Sequence, residues 1–290
     1  MIEKMTRRDF MKGTAAAAFG VAIGLTPEVM PKTRVVLIRH ENALDKDSKC
    51  NPDIIQQMLD QAVMTITDQK DILLAWKQLI QPDDIVGIKT NVWRFMPTPP
   101  ELEGAIKRRL LEVGVKAESI GVNDRGVRND PIFQRATALI NTRPLRTHYW
   151  AGIGGCIKNL ITFGERWPDY HPDSCADLGL LLKLPQVQGK IRLNILSVLQ
   201  PQFHGRGPHH FDPRYVWNYK GLIVSTDTVA VDAVGLKLIQ AKRLSYFGAE
   251  VELETTPKHI TVAGEKHKVG VSDWNKIELI KLGWQEDILI

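Results

Sequence analysis

Ile85-Val86-Gly87-Ile88-Lys89 and Ser119-Ile120-Gly121-Val122-Asn123 are two short apolar runs with polar ends, and Pro99-Pro100 with Leu102, Ala105, Ile106 and Leu110 lies between them. Short β-branched runs bounded by turn residues predict strands. The i, i+3, i+4 spacing after a proline pair predicts a helix, stopping near Gly114. Strand, helix and strand at these intervals predict an α/β fold: a mainly parallel twisted sheet with helices on both faces. Ligands of such sheets sit beyond the carboxyl ends of the strands. Lys89-Thr90-Asn91 and Asn123-Asp124-Arg125 fall at such ends.

The same pattern continues on either side. Arg34–Arg39 reads as the first strand. Asn51-Pro52 opens a helix with Asn as cap and Pro at the first position, and a second helix is expected over Asp68–Ile80. Further on, Cys175–Lys183 reads as helical and Ile191–Val198 as a strand, followed by a long loop over Gln200–Tyr219. Gly221–Ser225 is the next expected strand, and Asp227 caps a helix over Thr228–Ala241. His259–Val262 is expected as a last strand and Asp273–Lys281 as a last helix, closed by Gly283.

The N-terminus has a different character. Thr6-Arg7-Arg8-Asp9-Phe10-Met11-Lys12, followed by a weakly apolar Ala- and Gly-rich stretch to Leu25, is a twin-arginine export signature. Residues 1–30 form the signal segment and residues 31–290 one α/β domain, with two intimate lobes as the alternative. The expected location is periplasmic or exported, membrane-anchored if the signal is uncleaved. The twin-arginine translocase is the partner during export.

A chain of 290 residues with 43% hydrophobic content has enough apolar mass for a large core. Its 38 basic and 33 acidic residues are interspersed, giving a net charge of +5 with no basic run interleaved with aromatics. That balance argues against nucleic acid and fits a basic cleft for a small anionic ligand. Three cysteines (Cys50, Cys156 and Cys175) are too few for a four-thiolate cluster, so an iron–sulfur centre of its own is disfavoured. An oxidising compartment allows two of them to pair and leave one over, and the spacing does not say which two.

Two polar segments frame the expected site: Leu145–Asn159, which gathers Arg146, His148, Lys158 and Asn159 around three glycines, and His204-Gly205-Arg206-Gly207-Pro208-His209-His210. Lys89, Asn91, Arg146, Asn159 and Arg206 are the candidate ligand-binding residues, with arginine forks and lysine point charges suited to carboxylate or phosphate. His148, Lys158 and Asp232 are the candidate catalytic groups. Asp232 stands among Val231, Ala233 and Val234, where a carboxylate needs a partner, and a base or metal from the 205–210 loop would serve. His204, His209, His210 and Asp227 are the candidate ligands of a divalent transition metal, Asp227 reading first as a helix cap.

Five pieces in order, Ile88-Lys89-Thr90-Asn91, Leu145-Arg146-Thr147-His148, Ile157-Lys158-Asn159-Leu160, Gly205-Arg206-Gly207-Pro208 and Asp227–Asp232, resemble the family called domain of unknown function 362. Arg146 stands where that family usually has lysine, and the strand at Asn194 lacks its usual aspartate. The resemblance implies an α/β fold and a polar site, and it supplies no reaction. The expected function is an exported enzyme acting on a small anionic ligand, with metal assistance as a candidate feature. The alternative is a non-catalytic periplasmic metal- or cofactor-binding or maturation protein serving a redox partner.

Overall fold

The structure, a computed structural model, describes residues 32–207 and 211–290. The signal segment, Pro208, His209 and His210 lie outside the described residues. Among the described residues, no helix is long and apolar enough to cross a membrane.

Eight strands form one mixed sheet. In chain order they are β1 (Thr33–Arg39), β2 (Val86–Lys89), β3 (Ile120–Asn123), β4 (Ala138–His148), β5 (Gly152–Gly154), β6 (Ile191–Gln202), β7 (Gly221–Ser225) and β8 (Ile277–Gly283). The spatial order is β3-β2-β4-β6-β7-β1-β8, with β5 paired on β4 alone. The β2–β3, β2–β4, β4–β6 and β1–β8 pairs are parallel, and the other three are antiparallel. The expected α/β architecture is therefore present, as a mixed and mostly parallel sheet.

Successive strand residues point to opposite faces, and each face has its own apolar core. On one side Val36, Ile38, Ile88, Ile140, Ile195 and Val224 meet α1 (Pro52–Thr67), α2 (Ile72–Leu79) and α3 (Pro100–Val113). On the other, Leu37, Leu139, Leu196 and Ile223 meet α4 (Pro131–Arg135), α5 (Cys156–Asn159), α6 (Thr228–Phe247) and α7 (Lys258–Glu265). The caps act as read: the Asn51 carboxamide accepts from Asp53 N and Ile54 N, and α3 stops at Gly114 with φ +109.

Several boundaries differ from the expectation. α2 starts at Ile72, because Asp71 caps it and Asp68 is already the left-handed end of α1. Strand β6 runs four residues beyond Val198, taking the start of the expected 200–219 loop into the sheet. Cys175–Lys183 forms 3₁₀ turns over Ala176–Lys183. The last two assignments exchange. Lys258–Glu265 is a helix, because His259, Ile260 and Ala263 fall on one buried face that outweighs the β-branched Ile-Thr-Val run. The expected helix over Asp273–Lys281 is instead a short turn at Trp274–Lys276 leading into β8, whose Ile277 to Gly283 pair in parallel with β1. All three cysteines are free.

One topological detail positions the site. Lys89, the last residue of β2, pairs with Asn141, yet β4 continues to His148. Its extension, residues 142–148, overhangs β2 by roughly 23 Å at the usual strand rise, while β6 stays paired with it as far as Arg146. The three-residue β5 folds back on that extension, pairing Arg146 with Gly154 and His148 with Gly152. Gly152 has φ +72, and a Cβ there would lie 2.4 Å from the Thr255 carbonyl oxygen. The chain therefore turns back tightly only with glycine in this place.

Candidate functional site

The strand ends are tied together by an amide and ion-pair clasp. Lys89 is fully buried, and its Nζ lies 2.7 Å from Thr90 O, 2.5 Å from Asp124 Oδ1 and 3.3 Å from Asn159 Oδ1. All three ammonium donors are thus engaged. Burial lowers the Lys89 pKa to about 8, with Asp124 opposing. For Asp124, burial pushes the carboxyl up, but the Lys89 charge and the Val92 N–H bond outweigh it and hold it below the ordinary range. Asn159 places its amide nitrogen 2.8 Å from Asn141 Oδ1 and 3.1 Å from Thr142 O, and its oxygen accepts from Lys89 and Asn91. Lys89, Asn91 and Asn159 are therefore brought together as a structural clasp, with their polar atoms already partnered.

Asp232 has a different partner from the one the sequence suggests. Its carboxylate accepts from the backbone N–H groups of Cys156 (2.5 Å) and Ile157 (2.9 Å), at the start of α5. The two backbone donors that open α5 are thus taken by a carboxylate of the chain itself. Burial raises the Asp232 pKa to about 7, and the two backbone bonds work against that rise. A Cβ on Gly155 would come within 2.2 Å of Asp232 Oδ1. Gly155→Ala is accordingly expected to destabilise the protein by about 3 kcal/mol, combining overpacking with two disturbed charge-assisted bonds. Urea unfolding of the variant measures it.

The extension of β4 and the helices against it hold a second set of polar groups that lack such partners. Arg143 is 2% exposed and makes one bond, from Nη1 to Gly155 O at 3.2 Å; its Nε is buried with none. Arg146 is 4% exposed; it stacks 4.2 Å over the Trp93 ring and reaches Thr147 O only at 3.5 Å. Lys158, 5% exposed, has its Nζ 3.1 Å from His171 Nε2 and 3.7 Å from Cys175 Sγ. His148 accepts from Trp150 N on Nδ1. His259 is completely buried, and neither ring nitrogen has a hydrogen-bond partner.

These five groups sense one another. Burial lowers the pKa of each; neighbouring cations push Arg146, His148, Lys158 and His259 the same way, whereas at Arg143 the charges of Asp124 and Asp232 oppose it. Lys158 falls to about 8, His259 to about 3, and His148 and Arg146 well below their ordinary ranges. Among the described residues, no ion pair includes Arg143, Arg146, His148, Lys158 or His259. Asp232 and Asp124 attract Arg143 from further off, each already bonded elsewhere. A buried ion without a partner costs several kcal/mol. Two guanidinium groups and an ammonium are thus buried near one another with no carboxylate bonded to any of them.

The remaining expected residues lie elsewhere. Arg206 is at the surface, paired with Glu254 at 2.8 Å. His204 has Nδ1 2.9 Å from Arg243 Nη1 and packs edge-on against Tyr215 and Phe247, near the carboxyl end of α6. Asp227 caps the opposite end of that helix, accepting from Val229, Ala230 and Val271 N–H groups. Twenty helical residues span about 30 Å, so the structure does not bring His204 and Asp227 to one metal. Among the described residues, no three His, Cys, Asp or Glu side chains form a metal-binding group.

Arg143, His259 and His171 were not singled out from sequence. Arg143 is legible in retrospect as a charge inside Leu139–Leu145, where an otherwise strand-like run carries Asn141 and Arg143 toward one face. His259 was hidden by its misread element.

The model of a family described as "Domain of unknown function (DUF362)" matches residues 119–237, and that of the twin-arginine translocation pathway signal sequence matches residues 4–24. The first match spans Arg143, Arg146, His148, Lys158 and Asp232 and leaves out Lys89 and His259. The second establishes export by the twin-arginine pathway, with the translocase as partner in that step. Comparison with curated proteins and with solved structures gave no match.

Proposed function

We propose that this exported protein takes up a small anion of the carboxylate or oxyanion class at the end of β4, held by Arg143, Arg146, His148 and Lys158. The observation that carries this reading is the convergence of buried basic groups with no acidic partner. Replacing water by fixed donors in a low-dielectric site is worth most when the ligand brings the missing charge. The few per cent of exposure left at Arg146, His148 and Lys158 suits an ion or a compact acid rather than a bulky ligand. Lys89, Asn91, Asn159 and Asp232 serve this site from behind, fixing the strand ends and the start of α5.

A panel of sulfate, phosphate, formate and small 2-oxo acids, read by thermal unfolding, tests the proposal. At least one is expected to raise the melting temperature in wild type and not in Arg146→Gln. A panel without any stabilising anion would sink it.

The pH dependence has a defined sign. Lys158, with its pKa lowered to about 8, carries its charge below that pH and loses it above. Affinity for sulfate, whose own charge is constant, is expected to fall as pH rises from 7 to 9, by up to tenfold per unit near the top of that range. Lys158→Met is expected to flatten the dependence, as followed by titration calorimetry.

A further inference from the structure

We propose that Lys158 is a carbonyl-reactive amine, forming an imine with a small 2-oxo or aldehyde carboxylate whose carboxylate group is gripped by Arg143 and Arg146. This rests on the anion-binding reading and names the chemical class of the ligand.

The geometry around Lys158 distinguishes it from an ordinary anion-binding lysine. Its bonding neighbours are a neutral imidazole and a thiol, with no carboxylate to hold the ammonium form. His171 Nε2 faces Lys158 Nζ, and in the tautomer protonated at Nδ1 it offers its lone pair to the amine. An acceptor 3.1 Å from an amine is placed to move its proton. Both His171 and Cys175 reach Lys158 through an unusual turn. Asp173, Ser174 and Cys175 in succession have φ of 49, 58 and 61, although none is glycine. Left-handed backbone costs roughly 1–2 kcal/mol per such residue, and persistent strain of this kind gathers at sites that use it.

The chemistry favours the amine over the nearby thiols. Burial raises the pKa of Cys175 and raises that of Cys156 well above the ordinary value, so neither is a ready thiolate. Lys158 moves the other way: burial and the charges of Arg143 and Arg146 favour its neutral form. With a pKa near 8, it has roughly 300 times the neutral fraction of an ordinary lysine at pH 7. Activating a lysine by desolvation and by a neighbouring cation is a known route to imine formation. A planar guanidinium fork close by fits the carboxylate of the same ligand.

The step balances without an oxidant or reductant. The neutral amine adds to the carbonyl carbon, and a proton passes from nitrogen to oxygen by way of His171. The second N–H proton then passes to that hydroxyl, which departs as water as the C=N bond forms. The products are the imine and one water.

Borohydride trapping tests this on the full chain. Incubation with glyoxylate or pyruvate and sodium borohydride is expected to leave one adduct per chain, of the ligand's mass less one water plus two hydrogens, on the peptide containing Lys158. The adduct is expected to disappear in Lys158→Arg and to be suppressed in wild type by saturating sulfate. Adducts spread over surface lysines and unaffected by sulfate would overturn the imine. So would tight sulfate binding with no adduct at Lys158, although the anion site would then stand. Absence of both anion binding and adduct would remove both readings. The sulfate-protection arm uses wild-type protein and so does not depend on the folding of any variant.

Discussion

Arg143→Met is expected to stabilise the ligand-free protein by about 2 kcal/mol while weakening anion binding at least 100-fold. Truncating a buried side chain normally costs stability. Here the side chain carries a charge that has one hydrogen bond, at 3.2 Å, and a buried Nε with none. It also raises the cost of keeping Arg146, His148, Lys158 and His259 nearby. Replacing buried ions by apolar groups of similar volume is stabilising by about 1–4 kcal/mol in favourable cases. The same change removes a charge-assisted contact to the ligand, worth roughly 1.5–3 kcal/mol alone, and more when the anion is left in an apolar setting. Denaturant unfolding without ligand and calorimetry with sulfate measure the two halves. A variant that is less stable and binds equally well would mean Arg143 is an ordinary structural arginine.

The second large effect is on acid stability, through His259. Its folded pKa is depressed to about 3, from an ordinary value near 6.5, because burial disfavours the charged ring and Lys158 and Arg143 repel it. Below pH 6.5 the unfolded chain takes up a proton that the folded chain refuses. Stability is thus complete above 6.5 and is lost as pH falls toward 3, by up to about 5 kcal/mol from this residue. His148 and His171, also lowered, act in the same direction. Asp232 opposes them. With its pKa raised to about 7, its contribution is complete below the unfolded value near 3.8 and is lost as pH rises through 7. Asp227, also raised by burial, acts with Asp232; the lowered histidines together with the lowered Asp124 outweigh these two carboxylates, so net stability is expected to fall on acidification. His259→Leu is expected to flatten much of that fall. At pH 7 it should also stabilise the protein by about 1–3 kcal/mol, because two unsatisfied buried nitrogens disappear. Urea midpoints measured from pH 7.5 to 4.5 would show it; an unchanged slope would contradict the assignment.

These predictions concern residues of unequal legibility. The layered α/β plan could be read because alternation of short apolar strands with amphipathic helices is a local signal, carried by Val86–Lys89, Pro100–Val113 and Ile120–Asn123. Arg146, His148 and Lys158 could be read because glycines and bases cluster within one segment. The direction of Asp232 could not. Its partner is the backbone of Cys156 and Ile157, some 75 residues away, and backbone donors leave no mark in side-chain identity. Lys89 looked like an anion ligand because the sequence shows its charge but not that Asp124 neutralises it. The exchange of α7 and β8 has the same origin. β-branched residues favour strands locally, but the open edge of β1 recruits Ile277–Gly283, and a buried helical face claims His259, Ile260 and Ala263. His259 and Arg143 stand out through burial and missing partners, which only the folded chain creates.

The most direct test is anomalous diffraction from crystals soaked in selenate, which matches sulfate in shape and charge and carries its own signal. A peak within bonding distance of the Arg143 and Arg146 guanidinium groups and Lys158 Nζ is the predicted result. Selenate found only at the surface, with Arg143 and Arg146 unchanged and unaccompanied, would contradict an anion site at the end of β4.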